Sequence, residues 1–237
     1  MSLKDLKIKI FADGAELPGM VRLYKEGLVK GFTTNPTLMK KAGVTNYEQF
    51  AREVLKAIPD LPISFEVFSD ELDGMEREAR KIAGWAKNVN IKIPVTNSLG
   101  VSTVPVIKKL SAEGAQLNVT AVLTVAQVRA ITDALQAKVP SIISVFAGRI
   151  ADTGVDPIPV MKECMSIVRS KPAIELLWAS TRELLNIYQA DAVGCAIITV
   201  PHDILKKASL VGMDLTALSL DTVKMFKSDA TSAGFSL

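Results

Sequence analysis

One histidine, His202, and two cysteines, Cys164 and Cys195, are all that these 237 residues hold of two side chains central to proton relays and soft-metal binding. A histidine-based triad, a multi-histidine metal site and a histidine relay are therefore excluded. The cysteines lie far apart, in neither a metal nor a redox spacing, so a reducing, cytoplasmic setting is the expectation. No apolar run reaches the roughly 18 residues of a membrane span, and the N-terminus has no signal-peptide layout. The 28 lysines and arginines nearly balance 25 acidic residues, for a formal charge of +3 with no basic block. Nucleic-acid binding is not expected from such a chain. No glycine-rich dinucleotide fingerprint and no P-loop follows any of its apolar runs.

What the chain does have is alternation. Short β-rich runs occur at IKIFAD (8–13), GFTT (31–34), ISFEVF (63–68), VNIKIPV (89–95), LNVTAVL (117–123), IISVFAG (142–148), ELLWAS (175–180) and AIITVP (196–201). Longer amphipathic stretches lie between them, such as residues 70–86 and 156–171, with acidic residues or a proline near the start and basic residues near the end, as the helix dipole favours. Eight strand–helix units in an uninterrupted chain of this length predict an α/β fold, a closed (β/α)8 TIM barrel over residues 1–213. An open doubly wound sheet is the alternative. Residues 214–237 then remain as an additional C-terminal helix and a frayed end.

In a barrel of this kind active sites occupy the C-terminal rim, so polar residues where strands end are the candidates for chemistry. They are dense here: Asp13, Thr33, Thr34, Asn35, Glu66, Lys92, Asn118, Thr120, Ser144 and Ser180, with Arg149 and Arg182 just past strands six and seven on neighbouring loops. Lys92 is the most telling. It sits between Ile91 and Ile93 in a buried run, where an unpaired ammonium is costly and tends to lose its charge. Asn118 and Thr120 share one strand face, which must be the interior if both are to meet Lys92. Each residue also has a plainer reading. Lys92 and Glu66 form a structural ion pair, Glu66 points outward to a helix, Asp13-Gly14 is a turn, the arginines are surface residues, and His202 opens the eighth helix with Asp203 as cap. What separates the readings is co-occurrence, because the plain ones leave a polar barrel mouth without a ligand.

The set supports one chemistry in particular. A desolvated lysine amine attacks a ketone carbonyl and forms a Schiff base, and the iminium then accepts electrons from a breaking carbon–carbon bond. Carboxylates and hydroxyl-held water serve as the proton shuttles, here Asp13, Glu66 and Thr120. Arginines grip a phosphate by charge-assisted forks.

The runs FADGA (11–15), GFTTNPT (31–37), Glu66-Val67, IKIPVT (91–96), LNVTAV (117–122), SVFAGRI (144–150) and WASTR (178–182) closely resemble the transaldolase family, with its small branch and the related fructose-6-phosphate aldolases. The resemblance covers residues 7–205. It implies that Lys92 is the Schiff-base lysine and Asp13 the acid–base for the sugar C4 hydroxyl. Glu66 and Thr120 would hold the catalytic water. Asn35 and Asn118 would bind the dihydroxyacetone hydroxyls, with Ser144 and Thr34 beside them, and Arg149, Arg182 and Ser180 would bind the phosphate. It further implies transfer of a dihydroxyacetone unit from fructose 6-phosphate or sedoheptulose 7-phosphate to an aldose phosphate, without a cofactor, in the cytoplasm and in the non-oxidative pentose phosphate pathway. By the same analogy the chain is a homo-oligomer, a pentamer or decamer, with the 214–237 extension between subunits. Glu66 and Phe146 stand where aldolase relatives carry glutamine and tyrosine, so transferase is favoured over a lyase that releases free dihydroxyacetone. A non-catalytic sugar-phosphate-binding barrel is the third possibility. Gly14 departs from the family pattern, in which serine or threonine is common, and leaves the hydrogen bonding around Asp13 to be established.

Overall fold

Apolar residues on both faces of a strand require cover on both, and a parallel sheet curled into a barrel provides it. In the computed structural model, which describes residues 3–236, eight such strands do this: β1 (Lys9–Asp13), β2 (Gly31–Thr33), β3 (Ile63–Glu66), β4 (Val89–Pro94), β5 (Leu117–Val122), β6 (Ser141–Val145), β7 (Ile174–Trp178) and β8 (Ile197–Pro201). They pair in chain order, all parallel, and β8 returns to β1 in the register Lys9↔Ile197 to Asp13↔Pro201, closing the barrel. The fold is a (β/α)8 TIM barrel. The outermost residues of the expected barrel and tail ranges, 1, 2 and 237, lie outside the described residues.

The helices that cover the barrel begin at α1 (Leu17–Glu26), α2 (Pro36–Lys41), α3 (Tyr47–Ala57), α4 (Leu72–Ala83) and α5 (Val104–Ala112). They continue with α6 (Val125–Ala134), α7 (Ala147–Asp152), α8 (Pro157–Val168), α9 (Leu185–Val193), α10 (His202–Lys206) and the tail helix α11 (Leu215–Ser232). Their starts are set locally. Asn35, Asn46 and Asp156 each accept a backbone N–H from the first turn of the helix they precede, and Thr124 with Gln127 closes a capping box on α6. Between the barrel and its helices lies a continuous apolar layer that includes Met20, Phe32, Ile91, Val119, Ile143, Met161 and Trp178. A smaller cluster of Phe11, Ile142, Leu177, Ala179 and Ile197 is packed separately from it. Among the described residues no helix is long and apolar enough to cross a membrane.

The strand ends differ from the sequence expectation in one informative place. Residues 146–148, expected to extend strand six, instead turn into α7, so Arg149 sits on a short helix and not on a loop. The turn is tertiary in origin. The Gly148 N–H donates to the Ala179 carbonyl at 3.3 Å, and a Cβ at Gly148 would stand 1.6 Å from the Ser180 carbonyl oxygen. Backbone, not a flexible side chain, fills that space, so overpacking here is costly. Gly148→Ala is expected to destabilise the protein by roughly 3 kcal/mol, read as a lowered urea midpoint. An unchanged midpoint would mean that α7 and β7 do not pack this closely.

Candidate active site

Lys92 enters the barrel because β4 is paired on both sides, Glu66↔Lys92 to β3 and Lys92↔Asn118 to β5, which places three polar residues level on adjacent strands. The residue is buried, Nζ lies 3.2 Å from Glu66 Oε2, and Nζ donates to the Thr34 carbonyl at 3.0 Å. Glu66 therefore faces inward to the amine and not outward to a helix. The pair of charges is desolvated together, which makes each the necessary partner of the other.

Around this pair the strand ends enclose a cavity of about 430 Å³. Asp13, Thr33, Asn35, Glu66, Lys92, Thr120, Ser144, Phe146, Arg149, Ser180 and Thr199 all contribute to its wall. Asp13 accepts from the Thr33 hydroxyl at 2.7 Å, and Thr33 is in turn hydrogen-bonded to the Thr199 hydroxyl. Burial pushes the Asp13 carboxyl above its ordinary value. The Lys92 charge and the Thr33 bond pull it partly back, and Glu66 adds a smaller push upward. Two polar atoms of the site, Glu66 Oε2 and Thr120 Oγ1, are buried and have no hydrogen-bond partner among the described residues.

The remaining candidates are distributed unevenly. Asn118 is fully buried behind the wall, donating to Ser64 Oγ at 2.9 Å and accepting from the Ser144 hydroxyl at 2.6 Å. Thr34 is also behind it, its hydroxyl on the Ser64 carbonyl at 2.9 Å. Asn35 lines the cavity while its Oδ1 caps α2 through the Leu38 N–H at 2.9 Å. Arg149 lines the cavity with its guanidinium 5.3 Å from the Phe146 ring centre. Arg182 does not line it. Its guanidinium forks onto the Asp152 carboxylate from α7, with Nε 2.9 and 3.2 Å from the two oxygens. That bond holds Asp152 below the usual carboxylate range.

Gly14 and His202 explain each other. His202 begins α10 after Pro201, with Asp203 in the first turn and not at the cap, and its ring lies over Gly14, where a Cβ would stand 2.7 Å from Nε2. The hydroxyl that a serine or threonine would bring beside Asp13 is replaced by this contact, and burial lowers the His202 imidazole below its ordinary value.

Thr199 and Ala121 are among the wall residues not singled out from sequence. Thr199 is a polar residue two positions before the end of β8, a signal of the kind used for the other strands and overlooked there. Ala121 is carried by backbone alone. The register of β5 on β6 shifts between Val119 and Val122, and Ala121 takes φ 59°, as Ser180 takes 61° after β7. Such conformations cost energy and cluster at functional sites, and no feature of residue type announces them.

With this geometry in place, comparison with known proteins is decisive about kinship. A family model described as "Transaldolase/Fructose-6-phosphate aldolase" matches residues 10–237. The chain belongs to the transaldolase/fructose-6-phosphate aldolase family. Relatives of this family named "Probable transaldolase" include one from Caldicellulosiruptor saccharolyticus, 37% identical over 203 residues, covering 84% of this chain and 88% of the relative. Another, from Dehalococcoides mccartyi, is 34% identical with the same coverage. A third, from Thermoanaerobacter sp., is 33% identical over 232 residues, covering 97% of this chain and all of the relative. A chain from Coccidioides immitis assigned to the dihydrodipicolinate synthase family shares the fold, with TM-score 0.55 at 14% identity over 81% of this chain and 66% of that one. Among the described residues no group of three or more His, Cys, Asp or Glu side chains is arranged to hold a metal ion.

The raised carboxyl of Asp13 has a consequence for stability. A carboxyl whose folded pKa lies above its unfolded value favours folding when protonated, fully so below about the ordinary 3.8. That contribution is lost as pH rises through the raised value. Asp13→Asn is thus expected to melt above the parent near neutral pH, with the advantage shrinking as pH falls toward the ordinary carboxylate range. Thermal melts across that interval check it, and a pH-independent difference would contradict it.

Proposed function

We propose that the protein is a transaldolase that moves a dihydroxyacetone unit from a ketose phosphate to an aldose phosphate through a Schiff base on Lys92. The observation that carries the reading is a buried lysine on the cavity wall with its Nζ 3.2 Å from a carboxylate oxygen. Fructose 6-phosphate and sedoheptulose 7-phosphate are the donors assigned.

The uncharged amine attacks the donor's C2 carbonyl, and Glu66 Oε2 is near enough to take the amine's proton. The carbinolamine loses its hydroxyl as water and becomes the iminium. The C3–C4 bond then breaks, its electron pair moving toward C2 to give the enamine, while the C4 hydroxyl proton passes to Asp13 and the C4 carbonyl leaves on the aldose phosphate. The enamine carbon adds to the acceptor's aldehyde, Asp13 returns the proton to the new hydroxyl, and water hydrolyses the iminium. A carboxyl raised by burial suits a group that must both take and return a proton. Thr120 Oγ1, without a hydrogen-bond partner among the described residues, and Glu66 Oε2, met only by the Lys92 ion pair, support the assignment of both to the water that is expelled and readmitted.

Asn35 and Ser144 are assigned to the hydroxyls of the three-carbon unit, with Asn118 and Thr34 supporting that end from behind. Arg149, beside Phe146 and with Ser180 on the wall, is assigned to the phosphate. Arg182 joins it by exchanging Asp152 for phosphate, a trade of one charge-assisted fork for another. The exposed Leu215, Leu220, Val223 and Phe226 on α11 support its assignment as a subunit contact in a homo-oligomer.

Mass spectrometry after borohydride reduction with fructose 6-phosphate should find a dihydroxyacetone-sized adduct on Lys92. Lys92→Met, which keeps the stem's volume, should carry none and turn over nothing; an adduct elsewhere sinks the mechanism. Adding erythrose 4-phosphate should raise donor consumption sharply, whereas abundant free dihydroxyacetone without acceptor would identify a lyase. Arg149→Ala should raise KM for phosphorylated donors by about 10- to 100-fold, the value of a charged hydrogen bond, with kcat less affected. An unchanged KM would move the phosphate site elsewhere.

A further inference from the structure

Glu66 is the last residue of β3, and its backbone is paired on one side only by strand. Toward β4 the ladder continues past it, with Glu66 in register with Lys92 and the Val67 N–H on the Lys92 carbonyl at 3.0 Å. Toward β2 the register holds only Phe32↔Ile63 and Thr33↔Ser64, because the chain then turns through Asn35 into α2. The groups of Glu66 on that side are met by a side chain from α3. The Tyr47 hydroxyl donates to the Glu66 carbonyl at 2.9 Å and accepts from the Glu66 N–H at 2.7 Å.

The ring that carries this hydroxyl is itself fixed. It packs on Phe65, Phe68 and Trp85, with centroid separations of 6.2, 4.5 and 5.6 Å, and Asn46 caps its helix just before it. Burial pushes the phenol well above its ordinary range, so it stays a donor throughout the pH interval in which the protein would work. Glu66 Oε2 has no hydrogen-bond partner among the described residues, so the carboxylate's placement against Lys92 rests on its backbone and the ion pair.

We propose that Tyr47 is a positioning residue for the reaction, its hydroxyl standing in for the missing strand neighbour and holding Glu66 where its carboxylate exchanges protons with Lys92. The inference rests on the Schiff-base reading above. It makes the phenol a part of imine formation without any contact with substrate. Small displacements of a proton-transfer partner are enough to slow such a step, because the transfer requires hydrogen-bond reach.

Tyr47→Phe tests it, since the ring and its packing stay while both hydrogen bonds to Glu66 are removed. With fructose 6-phosphate, the rate of borohydride-trappable imine formation and kcat should both fall about tenfold, with KM changing less than about twofold. Trp85→Phe, which trims the aromatic cluster and leaves the hydroxyl, should stay close to the parent in all three. In a Glu66→Gln background, Tyr47→Phe should cost less than about twofold, because the group it positions is already gone. Parental rates in Tyr47→Phe overturn the inference. So does an equal loss in Trp85→Phe, or a full loss on top of Glu66→Gln, either of which reduces Tyr47 to packing. A parent that leaves no adduct fells the Schiff-base reading and the inference with it, and is told apart because the parent itself then fails.

Discussion

The ion pair of Lys92 and Glu66 is the constraint around which the barrel mouth is built. Two opposite charges stand level on adjacent strands, the lysine side chain only 9% and the glutamate 16% exposed. Removing either partner leaves the other charge stranded, a loss of roughly 3–5 kcal/mol for buried pairs. An apolar pair of the same volume would serve stability as well or better. The neighbours are arranged accordingly: the Thr34 carbonyl accepts from the amine, Tyr47 grips the glutamate's backbone, and Asp13 faces the same cavity with its carboxyl raised. The plain reading of Lys92 as one half of an ion pair and the chemical reading are thus not rivals. In the proposed reaction the pair is the resting form of the machinery.

The apolar core and the candidate site draw on different parts of each unit. The apolar layer between strands and helices runs through every unit and asks nothing of the rim. At the rim the backbone departs from regularity, with a shifted register in β5, left-handed Ala121 and Ser180, and α7 pressed against β7 through Gly148. Each departure aims something into the cavity: Thr120 and Ala121 from β5, Arg149 from α7, Ser180 from the end of β7. The layer beneath offsets the strain that such conformations carry.

How much of this was legible follows from the range of the interactions. Two-sided burial writes nearly continuous apolar runs, so all eight strands stood out, and the tail helix α11 was visible from its own amphipathic pattern. Inward-pointing polar residues interrupt those runs, which is why Lys92, Glu66 and Asp13 were conspicuous. What escaped depends on residues distant in the chain. Residues 146–148 look like strand until the Ser180 carbonyl is brought against them. That the Arg182 guanidinium rests on Asp152, thirty positions earlier, is equally invisible along the chain. Tyr47 carries no mark of a link to Glu66 beyond being aromatic at the head of a helix.

Gly14 and His202 lie on either side of the seam where the last strand meets the first, and the imidazole is wedged between Gly14 and Gly19, whose own Cβ would come within 3.1 Å of Nδ1. The ring thus occupies the space that a Cβ on either glycine would need. A serine at position 14 would collide with it, although it would supply the hydroxyl common in relatives. The two sites are therefore coupled through volume: a side chain at position 14 requires the imidazole at position 202 to move or to shrink.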